Sequence, residues 1–324
     1  MREEELIEAL LTRVRAAGGA TGGPQVVVGP GDDAAVLSAP AGMELVWTVD
    51  DAVEDVHFRR AWGLAAAGHK AAAASLSDLA AMGALPLGAL LALTVPAGTP
   101  LSTLEALGEG LGRALGRARC PLLGGNVTRG PALALSLSAL GAAPRGRAFR
   151  RSAARSGETL WVSGRVGLAR AGLLALEGGA SAASEELLRP ARERLLSPVP
   201  RLDLVEGLRA AGVEAAMDLS DGLCRDLPRL LLASGLAARV DSARLPGPDP
   251  ALAAAVGADP AELAWVGGED YELLLTGPPD LDVRCPTAGL RAIGELVSGT
   301  PGEVTLEGPL AGRRWTGFDH LAGA

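Results

Sequence analysis

Apolar residues recur along this chain with two periods, about two residues and about 3.6, and the two alternate from end to end. The opening MREEELIEALLTRVRAAGG has apolar residues at i, i+3 and i+4 and predicts an amphipathic helix. QVVV, AAVL and ELVWTV follow as short β-like runs. LAAAGHKAAAASLSDLAAMG predicts a long helix ending at Gly83, and LGALLALTVP a buried strand. Residues 101–118 predict another amphipathic helix despite their glycines. In ALALSLS, Leu133, Leu135 and Leu137 alternate with small or polar residues, as in a strand with one face in a core.

GAAPRGRAFRRSAARSGE then breaks the pattern, and the best domain boundary lies near residue 145. Beyond it come a strand at TLWVSG, helices around 167–177, 183–195 and 201–211, and a strand at EAAMDL. A helix over DGLCRDLPRLLLASG and strands at YELLLT and RAIGELV complete the pattern. The expected class is α/β (α+β), in two comparable domains, 1–145 and 146–324. A length of 324 residues fits two cores better than one.

Composition narrows the function. A hydrophobic content of 48% with 21% charged residues describes a globular chain. The net charge of −8 argues against nucleic acid as a main partner, because phosphate backbones favour basic faces. The first residues lack the basic and apolar regions of a signal peptide, and no apolar run reaches membrane-span length. Cys120, Cys224 and Cys285 are too scattered for a disulfide framework or a zinc site, so a cytoplasmic location is expected. The single lysine, Lys70, stands in His-Lys-Ala, so there is no Walker A loop, and no His-Arg-Asp of a protein kinase occurs. The glycines of 101–118 do not fit a dinucleotide fingerprint.

Carboxylates cluster beside glycines and at the ends of apolar runs. VGPGDDAAVL sets Asp32 beside Asp33 in a glycine-bracketed turn. TVDDAVEDVHF places Asp50, Asp51, Glu54, Asp55 and His57 after the run ELVW, where a strand end would offer them to a crevice. Asp78 stands in the Ala-rich helix, where a buried carboxylate needs a cation or donors. GGNVTRG, read as a glycine-rich turn after CPLL, holds the only asparagine, Asn126, and suits close approach to a phosphate. MDLSDGLCRD puts Asp218, Ser220 and Asp221 at a strand-to-helix junction, where a helix cap would look alike. GGEDYELLL sets Glu269, Asp270 and Glu272 at the head of a strand, where a hairpin turn would look similar. Mg²⁺ is held by a few carboxylates with phosphates and water, and such a set could cradle a triphosphate without lysine.

GPGDDAAVL, TVDDAVEDVHF, LSDLAAMGALP, GGNVTRG, MDLSDGL and GGEDYELL occur in the order seen in the bacterial thiamine-monophosphate kinases, which this chain resembles over essentially its whole length. That family shares a superfamily with aminoimidazole ribonucleotide synthetase and selenophosphate synthetase. The resemblance implies an N-terminal domain that binds ATP and Mg²⁺ and whose sheet forms a homodimer, plus a C-terminal α/β domain. It implies ATP-dependent phosphorylation of thiamine monophosphate with several Mg²⁺ ions. By matching motifs it assigns metal ligation to Asp32, Thr48, the backbone of Val49, Asp50, Asp78, Asn126, Asp218 and Asp221. It assigns nucleotide contacts to Gly125, Asn126, Arg151 and Ser220, with Arg150 as a substitute for Arg151. His57, Glu269 and Phe318 look like substrate contacts, and Asp50, Asp78 and Arg151 are the expected catalytic groups. The chain departs from the family pattern at Asn126, Val49 and Ser75, where Asp, Thr and Asn are usual. The rival expectations are a sister ATP-using enzyme and a non-catalytic sensor of nucleotide or thiamine phosphates. Simple Ca²⁺ binding is disfavoured because no D-x-D-x-D-G loop occurs.

Overall fold

The computed structural model describes residues 3–30, 34–178, 183–313 and 315, and the chain divides into two compact units. The first comprises residues 1–79 and 84–146, the second residues 80–83 and 147–324.

In the first unit α1 (Glu3–Ala16) precedes the two-stranded ladder of β1 (Val26–Val28) and β2 (Val36–Leu37). Then come β3 (Met43–Val53), α2 (Leu64–Ala81), β4 (Leu85–Val95), α3 (Leu101–Arg117), β5 (Leu122–Arg129) and β6 (Ala134–Pro144). The four long strands form one sheet in the order β3-β6-β4-β5, with only β4 and β5 parallel. Leu135 and Leu137 alternate inward with Leu91 and Leu93 in register beside them, all buried. The ALALSLS alternation therefore marks one covered face, each such leucine stabilising by about 1.5–3 kcal/mol. Glycine at positions 68 and 110 serves helix packing. A Cβ at Gly110 would lie 1.8 Å from the Ala65 carbonyl of α2, and one at Gly68 would lie 2.2 Å from that of Leu107 in α3. The glycines of α3 are spacers between helices.

Two expectations need correction. GGNVTRG is not a turn: residues 122–129 run on as strand β5, parallel to β4. Asp50 and Asp51 do not follow a strand; they lie inside β3, which continues to Val53 because β6 pairs with it throughout.

The second unit contains β7 (Thr159–Val162), α4 (Leu168–Leu176), α5 (Glu185–Leu196), α6 (Val205–Ala210), β8 (Ala215–Asp218), α7 (Leu223–Ser234) and β9 (Ala237–Asp241). It continues with α8 (Pro250–Ala255), α9 (Pro260–Val266), β10 (Leu273–Gly277), α10 (Leu281–Arg284), β11 (Arg291–Val297) and β12 (Val304–Glu307). Its six-stranded sheet runs β12-β9-β11-β7-β10-β8, with β12 and β9 parallel and the other pairs antiparallel. Leu160, Val162, Met217 and Leu274 enter one core, whereas Trp161, Ala216, Leu273 and Leu275 enter another. Burial of both faces explains why LLLT is continuously apolar where ALALSLS alternates.

Candidate active site

Cross-strand neighbours share a face, so register decides which side chains can meet. Asp50 stands opposite Leu137, and Thr48 opposite Ala139, on the buried side of the first sheet. There Thr48 Oγ1 donates to Asp78 Oδ2 of α2 at 2.5 Å. Asp50 Oδ1 accepts from the Asp51 N–H at 2.8 Å. The Val49 side chain turns the other way, 63% exposed. Asn126 aligns with Ala92 and Ser136, the row of Asp51, and so lies on the opposite face from Thr48 and Asp50 and at the far edge strand. Within the unit, Asn126 is not grouped with those residues. Gly125 lies in the row of Leu91, where a Cβ would fall 1.9 Å from the Leu91 carbonyl, so only glycine fits. Ser75, the third departure, is buried and donates to the Leu137 carbonyl at 2.7 Å, which binds α2 to β6.

His57 lies just past β3. Its N–H donates to the Val53 carbonyl at 2.9 Å, and its Nδ1 accepts from the Val53 N–H at 3.0 Å. The buried Lys70 of α2 donates to the His57 carbonyl at 2.8 Å.

In the second unit two distant motifs meet. Asp218, the last residue of β8, pairs with Leu273, the first of β10. The pairing continues past both strands. Leu219 N–H donates to the Glu272 carbonyl at 2.8 Å, Tyr271 N–H to that of Leu219 at 3.0 Å, and Glu269 N–H to that of Ser220 at 2.7 Å. The glycines permit this approach, since a Cβ at Gly268 would lie 2.5 Å from the Ser220 carbonyl. Asp218, Ser220, Asp221 and Glu269 thus share one end of the sheet. Glu269 and Tyr271 hold φ of 65° and 51°, conformations costly for non-glycine residues and found where surrounding structure over-determines them. Arg151 opens a short turn, Arg151–Ala153, packed against β8 and α7, whereas the Arg150 N–H is spent on the Glu214 carbonyl at 2.9 Å.

The capping alternative for MDLSDGL does not hold, because Gly222 is the N-cap of α7 and no side chain caps it. Asp221 instead pairs with Arg229 at 2.6 Å, and its N–H donates to the buried Asp226 at 3.0 Å. Burial, and then the charge of Asp221, push Asp226 up to about 6. Burial raises the nearby Cys224 thiol to about 11, which leaves it protonated and no nucleophile.

Sequence reasoning missed the frame beneath Glu269. Glu272, 2% exposed, accepts from Arg194 and Arg201 at 2.7 Å each and from Ser163 at 2.6 Å. Asp270, fully buried, accepts from the N–H groups of Gly167 and Ala169, the latter at 2.9 Å. Burial raises Asp270 to about 7 against the pull of those donors and of Arg194. The two arginines sit in α5 and ahead of α6, with no motif to mark them. Lys70 was also missed; its uniqueness in the sequence was the signal.

Asp32 and Phe318 lie outside the described residues. Among the described residues no three His, Cys, Asp or Glu side chains form a closed metal cage. The donors present, Thr48, Asp50 and Asp78 in one unit and Asp218 and Asp221 in the other, are all hard oxygens. They suit Mg²⁺, which takes one or two carboxylates and fills its shell with phosphate and water. No described helix is long and apolar enough to cross a membrane.

Family models agree with this architecture. The N-terminal domain of AIR synthase related proteins matches residues 31–143, and the C-terminal domain residues 155–305. The thiamine-monophosphate kinase of Synechococcus elongatus is 42% identical over 227 residues, covering 67% of this chain and 68% of its own. The crystal structure of the Stenotrophomonas maltophilia enzyme superposes with a TM-score of 0.82 at 38% identity, covering 93% of this chain and 96% of that one. A structure of AaThiL complexed with AMPPCP and TMP gives 0.76 at 30% identity, covering 94% and 95%. Kinship of this extent makes this chain a member of the thiamine-monophosphate kinase family.

Proposed function

We infer that this protein transfers the γ-phosphoryl group of ATP to the phosphate of thiamine monophosphate, yielding ADP and thiamine diphosphate. One observation carries the reading beyond kinship: the LSDG and GGEDYE segments zip together, so that Asp218, Ser220, Asp221 and Glu269 share one sheet end.

The acceptor is an ionised phosphate, so transfer by direct in-line attack needs no strong general base. Its main obstacle is repulsion between two anions on a chain of net charge −8. Mg²⁺, when bound, neutralises part of the phosphate charge. In the first unit Thr48, the Val49 carbonyl, Asp50 and Asp78 would hold ions, in the second Asp218 and Asp221 would do so, and Asp32 would join them, whereas Asn126 lies on the other face of its sheet. The Thr48–Asp78 bond sets two of these oxygens side by side before any ligand arrives. Gly125 and Asn126 in the first unit and Ser220 in the second are the nucleotide contacts that the family resemblance implies, and Arg151 would add positive charge at the transferred group. His57 in the first unit, and Glu269 and Phe318 in the second part of the chain, are the contacts to thiamine monophosphate that the family resemblance implies.

The outer face of β3 supports a homodimer. Met43, Leu45, Trp47 and Val49 all project from it, with Leu85 and Leu90 in the adjoining rows, and Trp47 is 74% exposed. A contiguous apolar sheet face of this kind marks an interaction surface, and a second copy is the occupant the family resemblance implies. The cytoplasm is the expected compartment.

Product analysis with ATP, Mg²⁺ and thiamine monophosphate tests the reading. Stoichiometric ADP and thiamine diphosphate are expected. Ligand-induced thermal stabilisation without ADP release would instead mark a sensor, and turnover only with another acceptor would mark a sister enzyme.

A further inference from the structure

We propose that Lys70 and Val53 are positioning residues for His57, holding its imidazole neutral with the proton on Nε2 and so presenting that N–H as a donor to thiamine monophosphate. This rests on the reading of His57 as a substrate contact.

The Val53 peptide grips His57 at two points, donating its N–H to Nδ1 at 3.0 Å and accepting the His57 N–H at 2.9 Å. A backbone N–H can only donate, so Nδ1 must present its lone pair, and a neutral imidazole then carries its proton on Nε2. Protonation at Nδ1 would set two donors against each other. The ring is thereby a fixed donor at one nitrogen rather than a group that exchanges protons with the reaction.

Lys70 secures the other side of the residue. It is the only lysine in the chain, lies 6% exposed among the alanines of α2, and donates to the His57 carbonyl at 2.8 Å. A flexible stem ending in a compact point donor lets this side chain reach the backbone oxygen from among the alanines of α2. The rest of the loop is equally bound. Asp55, at φ 64°, donates its N–H to the Phe58 carbonyl at 2.8 Å, Phe58 is buried, and the Glu54 N–H reaches the Leu133 carbonyl at 2.9 Å. His57 is thus arranged before substrate arrives, which lowers the entropy lost on binding.

Nitrogen-15 NMR of the histidine-labelled full-length protein tests the ring directly, with His57→Gln assigning the signal among three histidines. An unprotonated Nδ1 and a protonated Nε2 near neutral pH are expected; a proton on Nδ1 overturns the proposal without recourse to any destabilised variant. In kinetics, Lys70→Met is expected to raise KM for thiamine monophosphate about tenfold while KM for ATP stays within about twofold. Equal losses towards both substrates, or an unchanged KM for thiamine monophosphate, overturn the positioning role. His57→Ala separates the two claims: if it leaves that KM unchanged while the wild-type ring shows the Nε2–H tautomer, the substrate contact fails and the geometry stands.

Discussion

VEDVHF and GGEDYEL look alike on paper, each an acidic run bracketed by apolar residues, yet they use their carboxylates in opposite ways. In the first, Asp55 is exposed and the partly buried Glu54 pairs with the exposed Arg60, while the imidazole that follows is the part held by backbone. In the second, Asp270 and Glu272 are buried, one on backbone N–H groups and the other on two arginines and a serine, and only Glu269 is left as the candidate for ligand. Position relative to the sheet makes the difference. The first run leaves an edge strand of a sheet with one open face, whereas the second enters a strand covered on both sides. Acidic density therefore does not identify ligands; within GGEDYEL the two buried acids are scaffold.

The contrast is broken most severely at Glu272. Glu272→Ala would leave Arg194 and Arg201 facing a void, and removing one partner of a buried ion pair costs about 3–5 kcal/mol. Urea denaturation should show the second unit losing stability on that scale, and a cost below about 1 kcal/mol would show that solvent already satisfies the arginines. Asp78→Asn should act on chemistry instead. The amide oxygen can still accept from Thr48, so the fold is expected to persist, while turnover falls about 100-fold or more with the loss of a proposed metal ligand. Undiminished turnover at saturating Mg²⁺ would remove Asp78 from the site.

How far could this have been read without coordinates? The periodic segments were plain: α2, α3, β4, β7 and β10 fall where hydrophobic spacing puts them, because a regular apolar pattern runs through each. Asp218, Ser220, Asp221 and Glu269 were legible as motifs, but their meeting was not. It depends on an antiparallel pairing between segments some fifty residues apart, for which no local pattern exists. β5 was misread because glycine usually signals a turn, whereas Gly125 answers to the backbone of a neighbouring strand. Arg194 and Arg201 were invisible for a related reason: on a helix and in a loop, an arginine reaching into a core resembles one reaching into water.

The open face of the first sheet gives the next test. Trp47→Glu places a charge in the middle of the apolar patch on β3, on the side away from Thr48 and Asp78. A central aromatic in an interface is worth about 2–4 kcal/mol, so sedimentation should show a dimer shifting to monomer. A wild-type chain that sediments as a monomer would leave the patch without its proposed occupant.

A smaller effect separates Asp270 from ordinary surface acids. Its folded-state value, raised by burial to about 7 from 3.8, means that the native state holds a proton over a range where the unfolded chain has released it. Its stabilising contribution is therefore complete below about pH 4 and is lost as pH rises through about 7. Asp270→Asn should cost more stability at pH 5 than at pH 8, approximately, as read from paired denaturation curves. The opposite trend would mean that the Gly167 and Ala169 donors and Arg194 outweigh burial.

The least effect is expected at the counterpart pair in the first unit. Arg60 contacts Glu54 through two nitrogens, but the arginine side chain is 41% exposed and Glu54, 16% exposed, also accepts from the Leu133 N–H, so water can satisfy the guanidinium and salt screens the attraction. Arg60→Met keeps most of the aliphatic stem and should change stability by less than about 1 kcal/mol. Because Lys70 and Val53 hold His57 independently of this pair, KM for thiamine monophosphate should also stay close to wild type. A large rise in that KM would mean that Glu54 and Arg60 set the conformation of the loop, and surface and core acids would then differ in exposure alone and not in task.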